Sequence, residues 1–264
     1  MNKRIHDYLA GQRDPQTRFL AELVKVPSNN PPGDCRPHAE RAASLLEALG
    51  FTVERHPVPD ELVKASGMVS CTNLIVRERF GKGGPTIALN AHGDVVPPGL
   101  GWSTDPYGAQ IRDGAMYGRG VAVSKSDFAT YAFALLSLKN ISSELQGSIE
   151  LHFTYDEETG GEVGPAWLLA QGLSKPDYAI SAGFAHGITI AHNGCLHLEV
   201  EVLGRSGHAA RPETGIPTLL YGAGPRTLEE ANGHRADEHL KLDDLAKATE
   251  VIALTLLDFL STAK

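Results

Sequence analysis

Thr86-Ile87-Ala88-Leu89-Asn90-Ala91-His92-Gly93-Asp94 and Ile149-Glu150-Leu151-His152-Phe153-Thr154-Tyr155-Asp156-Glu157-Glu158 are the two stretches that decide the fold of this chain. Each is a short apolar run, bounded by glycine or proline, that ends in side chains with an affinity for metal ions. Runs this short, with such boundaries, read as buried strands rather than helices, here over 86–90 and 149–155. In open α/β sheets, functional groups gather where strands end at their carboxyl side. A histidine followed two positions later by an aspartate, and an acidic pair followed by Gly160-Gly161, supply an imidazole ligand, a carboxylate ligand and a spare carboxylate to act as base. That is the inventory of a hydrolytic zinc centre.

Working outward, the pattern alternates. Asp14-Pro15 caps a helix that carries Phe19, Leu20, Leu23 and Val24 on one face. A second helix is expected from Pro37 to Leu49, with Ala42, Leu45, Leu46 and Leu49 turned inward and Gly50 as its stop. Strands are expected over 51–54, 73–76, 178–181 and 196–202, and helices over 125–139 and 163–171. Leu245, Ala248, Ile252, Leu256 and Phe259 mark a closing amphipathic helix. Strands and helices in alternation imply an α/β three-layer sandwich, with a mostly parallel central sheet flanked by helices.

Composition narrows the function. The 264 residues, 42% of them hydrophobic, suffice for one large domain. A net charge of -8, with lysine and arginine scattered, argues against nucleic-acid or membrane partners and favours small-molecule or dipeptide-like substrates. Cys35, Cys71 and Cys195 share no disulfide-like or zinc-like spacing, so free thiols in a reducing compartment are expected. Lys3 and Arg4 are followed by no apolar core, which makes the cytoplasm the default location. A serine hydrolase is disfavoured because no Gly-x-Ser-x-Gly elbow occurs.

Six blocks occur in a telling order: residues 91–99; Gly101-Trp102 through Asp105-Pro106; Asp113-Gly114 through Tyr117-Gly118-Arg119-Gly120; residues 154–161; Arg205-Ser206-Gly207-His208-Ala209; and Tyr221-Gly222-Ala223-Gly224. In this the chain resembles the co-catalytic zinc aminoacylase and exopeptidase family, which includes acetylornithine deacetylase, succinyl-diaminopimelate desuccinylase and glutamate carboxypeptidase. The resemblance implies a zinc-exopeptidase-like catalytic domain and amide hydrolysis of an N-acyl amino acid or small peptide, of deacylase or carboxypeptidase type. It implies His92 and Glu158 as metal ligands, Asp94 as the carboxylate orienting His92, Glu157 as the general base that deprotonates water, and His208 as the group that polarises the scissile carbonyl. One or two Zn2+ ions are implied, with Co2+ or Mn2+ as substitutes.

The chain also departs from that family. Val123 stands where the pattern places a metal-bridging aspartate, Gly183 where it places a carboxylate, and Asn232 where the terminal histidine aligns best, with His234 two residues away. A catalytic zinc needs three protein ligands, so His92 and Glu158 require another donor. Asp127, at the start of the helix after Val123, is the leading choice, ahead of His186, His192 and His234. Arg119 and Lys125 read as a loop-positioning arginine and a helix-start lysine, and His152 and His197 as ordinary strand residues.

A second departure is a deletion. Glu213-Thr214-Gly215-Ile216 runs straight into Pro217-Thr218-Leu219-Leu220, whereas the family inserts a lid domain at this point. The expected organisation is therefore a single catalytic domain over 1–264, with 196–216 as the remnant of the start of a missing lid. The absence of a lid-borne dimer interface implies a monomer. Arg211 and Arg226 are the only nearby substitutes for a lid-borne arginine that would hold the substrate carboxylate, and loop packing is the stronger reading for each. The competing reading is a non-catalytic or metal-poor α/β scaffold whose site has degenerated, favoured by Val123, Gly183 and Asn232 and opposed by the intact cluster of His92, Asp94, Glu157 and Glu158.

Overall fold

The structure is a computed structural model that describes residues 2–183, 218–220 and 228–261. In chain order the elements are α1 (Asn2–Ala10), α2 (Arg13–Val24), α3 (Arg36–Ala48), β1 (Val53–Pro57), α4 (Asp60–Ala65), β2 (Thr72–Phe80), β3 (Thr86–His92), β4 (Gln110–Arg112), β5 (Ala115–Tyr117), α5 (Lys125–Lys139), β6 (Gly147–Thr154), α6 (Pro165–Ala170), β7 (Tyr178–Ser181), β8 (Thr218–Leu220), α7 (Leu228–Ala231), β9 (His239–Lys241) and α8 (Leu242–Ser261).

The central sheet has six strands in the order β1-β2-β6-β3-β7-β8. β6, β3, β7 and β8 pair in parallel, and β2 runs antiparallel to both β1 and β6, so β2 alone opposes the common direction. The expected mostly parallel α/β sheet is what forms. The register separates two faces, because side chains alternate along a strand. Ile87, Leu89 and Ala91 of β3 lie beside Ile149, Leu151 and Phe153 of β6, and Val76 and Leu74 of β2 oppose Leu151 and Phe153. All are buried, and they pack against α5, whose Phe128 ring stacks on Phe153 with centroids 3.9 Å apart.

The opposite face is polar. Ala88, Asn90 and His92 align with Glu150, His152 and Thr154. Glu150 pairs with Arg77, accepts from Ser174 Oγ and contacts His152 Nε2 at 2.9 Å. Asn73 donates to the Val163 carbonyl and Arg77 to the Leu173 carbonyl, which ties the segments on either side of α6 to this face. Among the described residues the layer covering the polar face is thus the thin one, and the layer over the apolar face, built on α5 and its neighbours, is the thick one.

Helix α5 spans the expected residues and is buried on nearly every side, including Lys125, whose ammonium donates to the carbonyls of Leu23 and Val26. Desolvation lowers the pKa of that lysine to about 7. Several elements differ from expectation. α2 begins at Arg13 with Gln12 as its cap, so Asp14 lies inside the first turn, where its charge favours the helix dipole. β1 starts at Val53, and Phe51 is buried in the core before it. α6 is shorter than 163–171, and β2 is longer than 73–76 because it pairs along its length with β6. Leu245, Ala248, Ile252 and Leu256 of α8 are buried, but Phe259 is 41% exposed and packs beside Tyr178. Helices α1 and α4 and a small sheet, β4-β5-β9, were not legible in the periodicity. Cys35 and Cys71 are free and buried. The expected strand over 196–202, the remnant over 196–216 and Cys195 lie outside the described residues. No helix of the described residues is long and apolar enough to cross a membrane.

Candidate metal centre

β3 and β6 lie side by side in parallel and stop together, with His92 opposite Thr154. Glu157 and Glu158 follow in a 3-10 turn (Glu157–Thr159) directly after β6. One sheet hydrogen-bond ladder therefore carries both motifs to one edge. Ligand atoms of His92, Glu157 and Glu158 all lie within 4.8 Å of one another. His92 is buried, the Glu158 side chain is 2% exposed and that of Glu157 is 42% exposed, so the two adjacent glutamates occupy different environments.

Asp94 organises the cluster. The imidazole Nδ1 of His92 lies 2.9 Å from the Asp94 backbone carbonyl and 3.4 Å from its Oδ1. A proton on Nδ1 leaves Nε2, which is 3.9 Å from Glu157 Oε2, as the ligating atom. The Asp94 carboxylate itself accepts the backbone N–H groups of Glu157 (3.3 Å) and Glu158 (3.1 Å) and one Asn30 side-chain N–H (3.0 Å). The same Asn30 amide reaches Thr159 Oγ1 at 3.2 Å. Asp94 thus orients His92 mainly through its main chain, and its carboxylate joins the first motif to the second. Between the two, Gly93 admits no side chain, because a Cβ there would lie 2.4 Å from the Tyr155 ring.

His234 approaches from the other end of the chain. Its Nε2 lies 3.5 Å from Glu158 Oε1. Sequence alignment favoured Asn232 for a terminal histidine and Asp127 for a third ligand. Asn232 sits at φ 52° two residues before His234. Asp127 is buried at the start of α5, where it accepts from Ser124 Oγ at 3.3 Å, and Ser124 Oγ in turn accepts the His92 backbone N–H. It stands one hydrogen bond behind His92 and outside the group of clustered ligand atoms. Val123 and Gly183 bring no donor atom. His186, His192, His208, Arg211 and Arg226 lie outside the described residues.

Two residues that the sequence reading missed matter here. Asn30 could have been noticed in Ser28-Asn29-Asn30-Pro31-Pro32, a turn-forming cluster in which a buried amide has work to do. Glu238 is wholly buried and paired with Arg119 at 2.7 Å, and no local pattern marks it. Arg119 also donates to the Pro98 and Arg235 carbonyls, which agrees with its reading as a loop-positioning arginine.

The electrostatics call for a cation. Burial disfavours charge on His92, yet the carboxylates of Glu157, Asp94 and Glu158 outweigh it and raise the imidazolium pKa to about 10. Burial raises the Glu158 carboxyl to about 8, helped by repulsion from Glu157 and Asp94 and opposed by His92. Asp156, buried beside Asp94, rises to about 7. A proton on His92 is the main positive charge balancing this group. One imidazole nitrogen and carboxylate oxygens, with a second imidazole alongside, are the donors a zinc-like divalent ion takes, so the residues present fit such an ion.

Comparison with known proteins agrees with this geometry. Residues 88–200 match the family model "Peptidase family M20/M25/M40". The succinyl-diaminopimelate desuccinylase of Rhodospirillum centenum is 32% identical over 255 residues, which cover 90% of this chain and 60% of that protein. The curated relatives are longer than this chain, which spans from 45% to 63% of the length of those it matches. Human carnosine dipeptidase 1 superposes with a TM-score of 0.54 at 20% identity, over 69% of this chain and 41% of that one. The glutaminyl cyclase of Porphyromonas gingivalis superposes with a TM-score of 0.58 at 15% identity, over 93% of this chain and 97% of that one. These two likenesses are of fold. Motifs, their order and the sheet edge thus agree with the match of residues 88–200 to peptidase family M20/M25/M40, to which this part of the chain is similar.

Proposed function

We propose that this chain is a metal-dependent amidohydrolase that cleaves the amide bond of an N-acyl amino acid or dipeptide-like substrate, with zinc as its ion. The observation that carries this reading is the cluster of His92, Glu157 and Glu158 ligand atoms at the carboxyl ends of two paired parallel strands. His92 and Glu158 would hold the ion, with His234 beside Glu158 as the further donor. A bound divalent ion supplies Lewis acidity toward a carbonyl and lowers the pKa of water. The remaining work falls to this chain's own groups. Glu157, more exposed than its neighbour, accepts a proton from water at its carboxylate and passes it to the leaving amine. Asp94 keeps the His92 proton on Nδ1 and holds the Glu157–Glu158 turn in place. His208 has the family role of polarising the scissile carbonyl, a role assigned by motif.

The reading includes a cytoplasmic monomer whose catalytic domain lacks the lid, without nucleic-acid or membrane partners. Desuccinylases among the relatives make N-succinyl amino acids the first substrates to try. The test is metal content after dialysis against zinc buffer, followed by hydrolysis of an N-acyl amino acid panel. About one or two retained ions that are lost in Glu158→Ala, together with turnover of a panel member, support the reading. Failure to bind any ion would sink it and leave the degenerate-scaffold alternative, which Val123 and Gly183 favour.

A further inference from the structure

We propose that the buried Arg119–Glu238 pair is a positioning device that delivers His234 to Glu158, so that this half of the centre depends on two residues with no access to substrate. His234 belongs to no helix or strand. It lies in the irregular segment between α7 and β9, where Asn232, His234 and Asp237 take φ values of 52°, 62° and 58°. Left-handed backbone at three non-glycine residues so close together persists only when surrounding contacts impose it, even though Asn, His and Asp tolerate it best.

Those contacts converge on Glu238 and Arg119, which are 0% and 1% exposed. Glu238 Oε2 takes Arg119 NH1 at 2.7 Å, and its Oε1 accepts the Ala122 N–H at 3.1 Å. The backbone N–H groups of Gly120 and of His234 itself also hydrogen-bond to this carboxyl. The Glu238 carbonyl accepts the Gly118 N–H at 3.0 Å. From Arg119, NH2 reaches the Arg235 carbonyl at 3.3 Å and the Pro98 carbonyl at 3.1 Å, and the guanidinium lies over the Trp102 ring. Asp237 Oδ1 adds two bonds from Ser103, from its N–H at 3.0 Å and its Oγ at 2.9 Å. Three loops, at 98–103, 118–122 and 234–238, are thereby locked together, and the first two lead away from His92 and toward α5. A planar guanidinium serves this purpose because its fixed fork binds a carboxylate and carbonyls at once, which an ammonium cannot copy.

The clamp itself follows from geometry, and its bearing on catalysis rests on the metal-hydrolase reading. The test separates the two. In the full chain without metal, ring-15N spectra of labelled histidines are compared with and without Glu158→Gln. The His234 signal should move in the parent, given the 3.5 Å contact, and should stop responding in the Glu238→Gln background while the His92 signal still responds. Co2+ titration of the same proteins should show weaker retention, about 10–100-fold, for Glu238→Gln and for His234→Ala, with no further loss when the two are combined. Should Glu238→Gln fail to fold, Arg119→Lys, which keeps the charge but not the fork, is read in the same two ways. A His234 response to Glu158→Gln that survives loss of the clamp, or cobalt losses that multiply in the double variant, overturns the proposal. A clamp-dependent His234 response in a parent that binds no Co2+ would uphold the clamp and sink the hydrolase reading.

Discussion

The two halves of the centre are built by different means. His92 ends the backbone ladder of β3 and β6, whose register sets it opposite Thr154, and Glu157 and Glu158 follow in the turn directly after β6. His234 arrives on an irregular segment held by side chains, chiefly Arg119, Glu238 and Asp237. A ladder places the strand ends through many local, equivalent hydrogen bonds, and only the Asp94 carboxylate is then needed to join the acidic turn to His92. A clamp concentrates the same task in one buried ion pair, where removal of either partner strands the other charge away from water. The first half should therefore fail in chemistry when altered, and the second half in position.

The largest effect is expected from Glu158→Ala, because Glu158 faces both His92 and His234. Retained zinc should fall to background and hydrolysis with it, as read by elemental analysis of the dialysed protein. Glu157→Gln should leave metal content near the parent value yet slow turnover by about 10²–10⁴-fold, the usual worth of a general base, measured as kcat on a responsive N-acyl amino acid. Equal metal content with unchanged kcat would show that Glu157 is not the base.

Arg119→Met tests the other half. Breaking a buried ion pair on one side costs about 3–5 kcal/mol, so the urea midpoint should drop markedly. An unchanged midpoint would mean that the clamp is dispensable. The pH dependence sharpens the picture of the strand-borne half. Without an ion, His92 keeps its proton up to about 10 and Glu158 up to about 8, and ion binding must displace both. Apparent metal affinity should therefore rise with pH, most steeply below 8 where two protons leave, by up to about a hundredfold per unit, and less steeply between 8 and 10. Calorimetry in buffers of different ionisation enthalpy counts those protons, and a count of zero would contradict this charge balance. Asn30→Ala should have the smallest effect. It removes one amide bridging Asp94 and Thr159, worth about 1 kcal/mol in the urea transition, with a modest rise in KM and little change in metal content.

The contrast also governs what could be read in advance. The limits of β7 and α5 and, to within two residues, the ends of β3 and β6 followed from apolar runs and their boundaries, because burial on both sides of a sheet leaves an unbroken local signature. Helix α1, which buries only Ile5, and the three-residue strands β4, β5 and β9 carry too few apolar positions for a period to emerge. The terminal histidine was drawn toward Asn232 because alignment counts residues, whereas the left-handed turns at 232, 234 and 237 decide which side chain reaches Glu158. Asp127 was reasonable by proximity in sequence to Val123, but the start of α5 directs its carboxylate to Ser124 instead.

Sequence alone determined the α/β class, the mostly parallel sheet and the pairing of a histidine motif with an acidic motif, since these depend on local patterns of apolar and ligating residues. Only the tertiary structure decided that Asp94 joins the two motifs, that Glu157 and Glu158 differ in exposure, and that His234 stands beside Glu158. Each of these depends on contacts between residues far apart in the chain, and the hydrogen bonds and burial that come with them leave no trace in local composition.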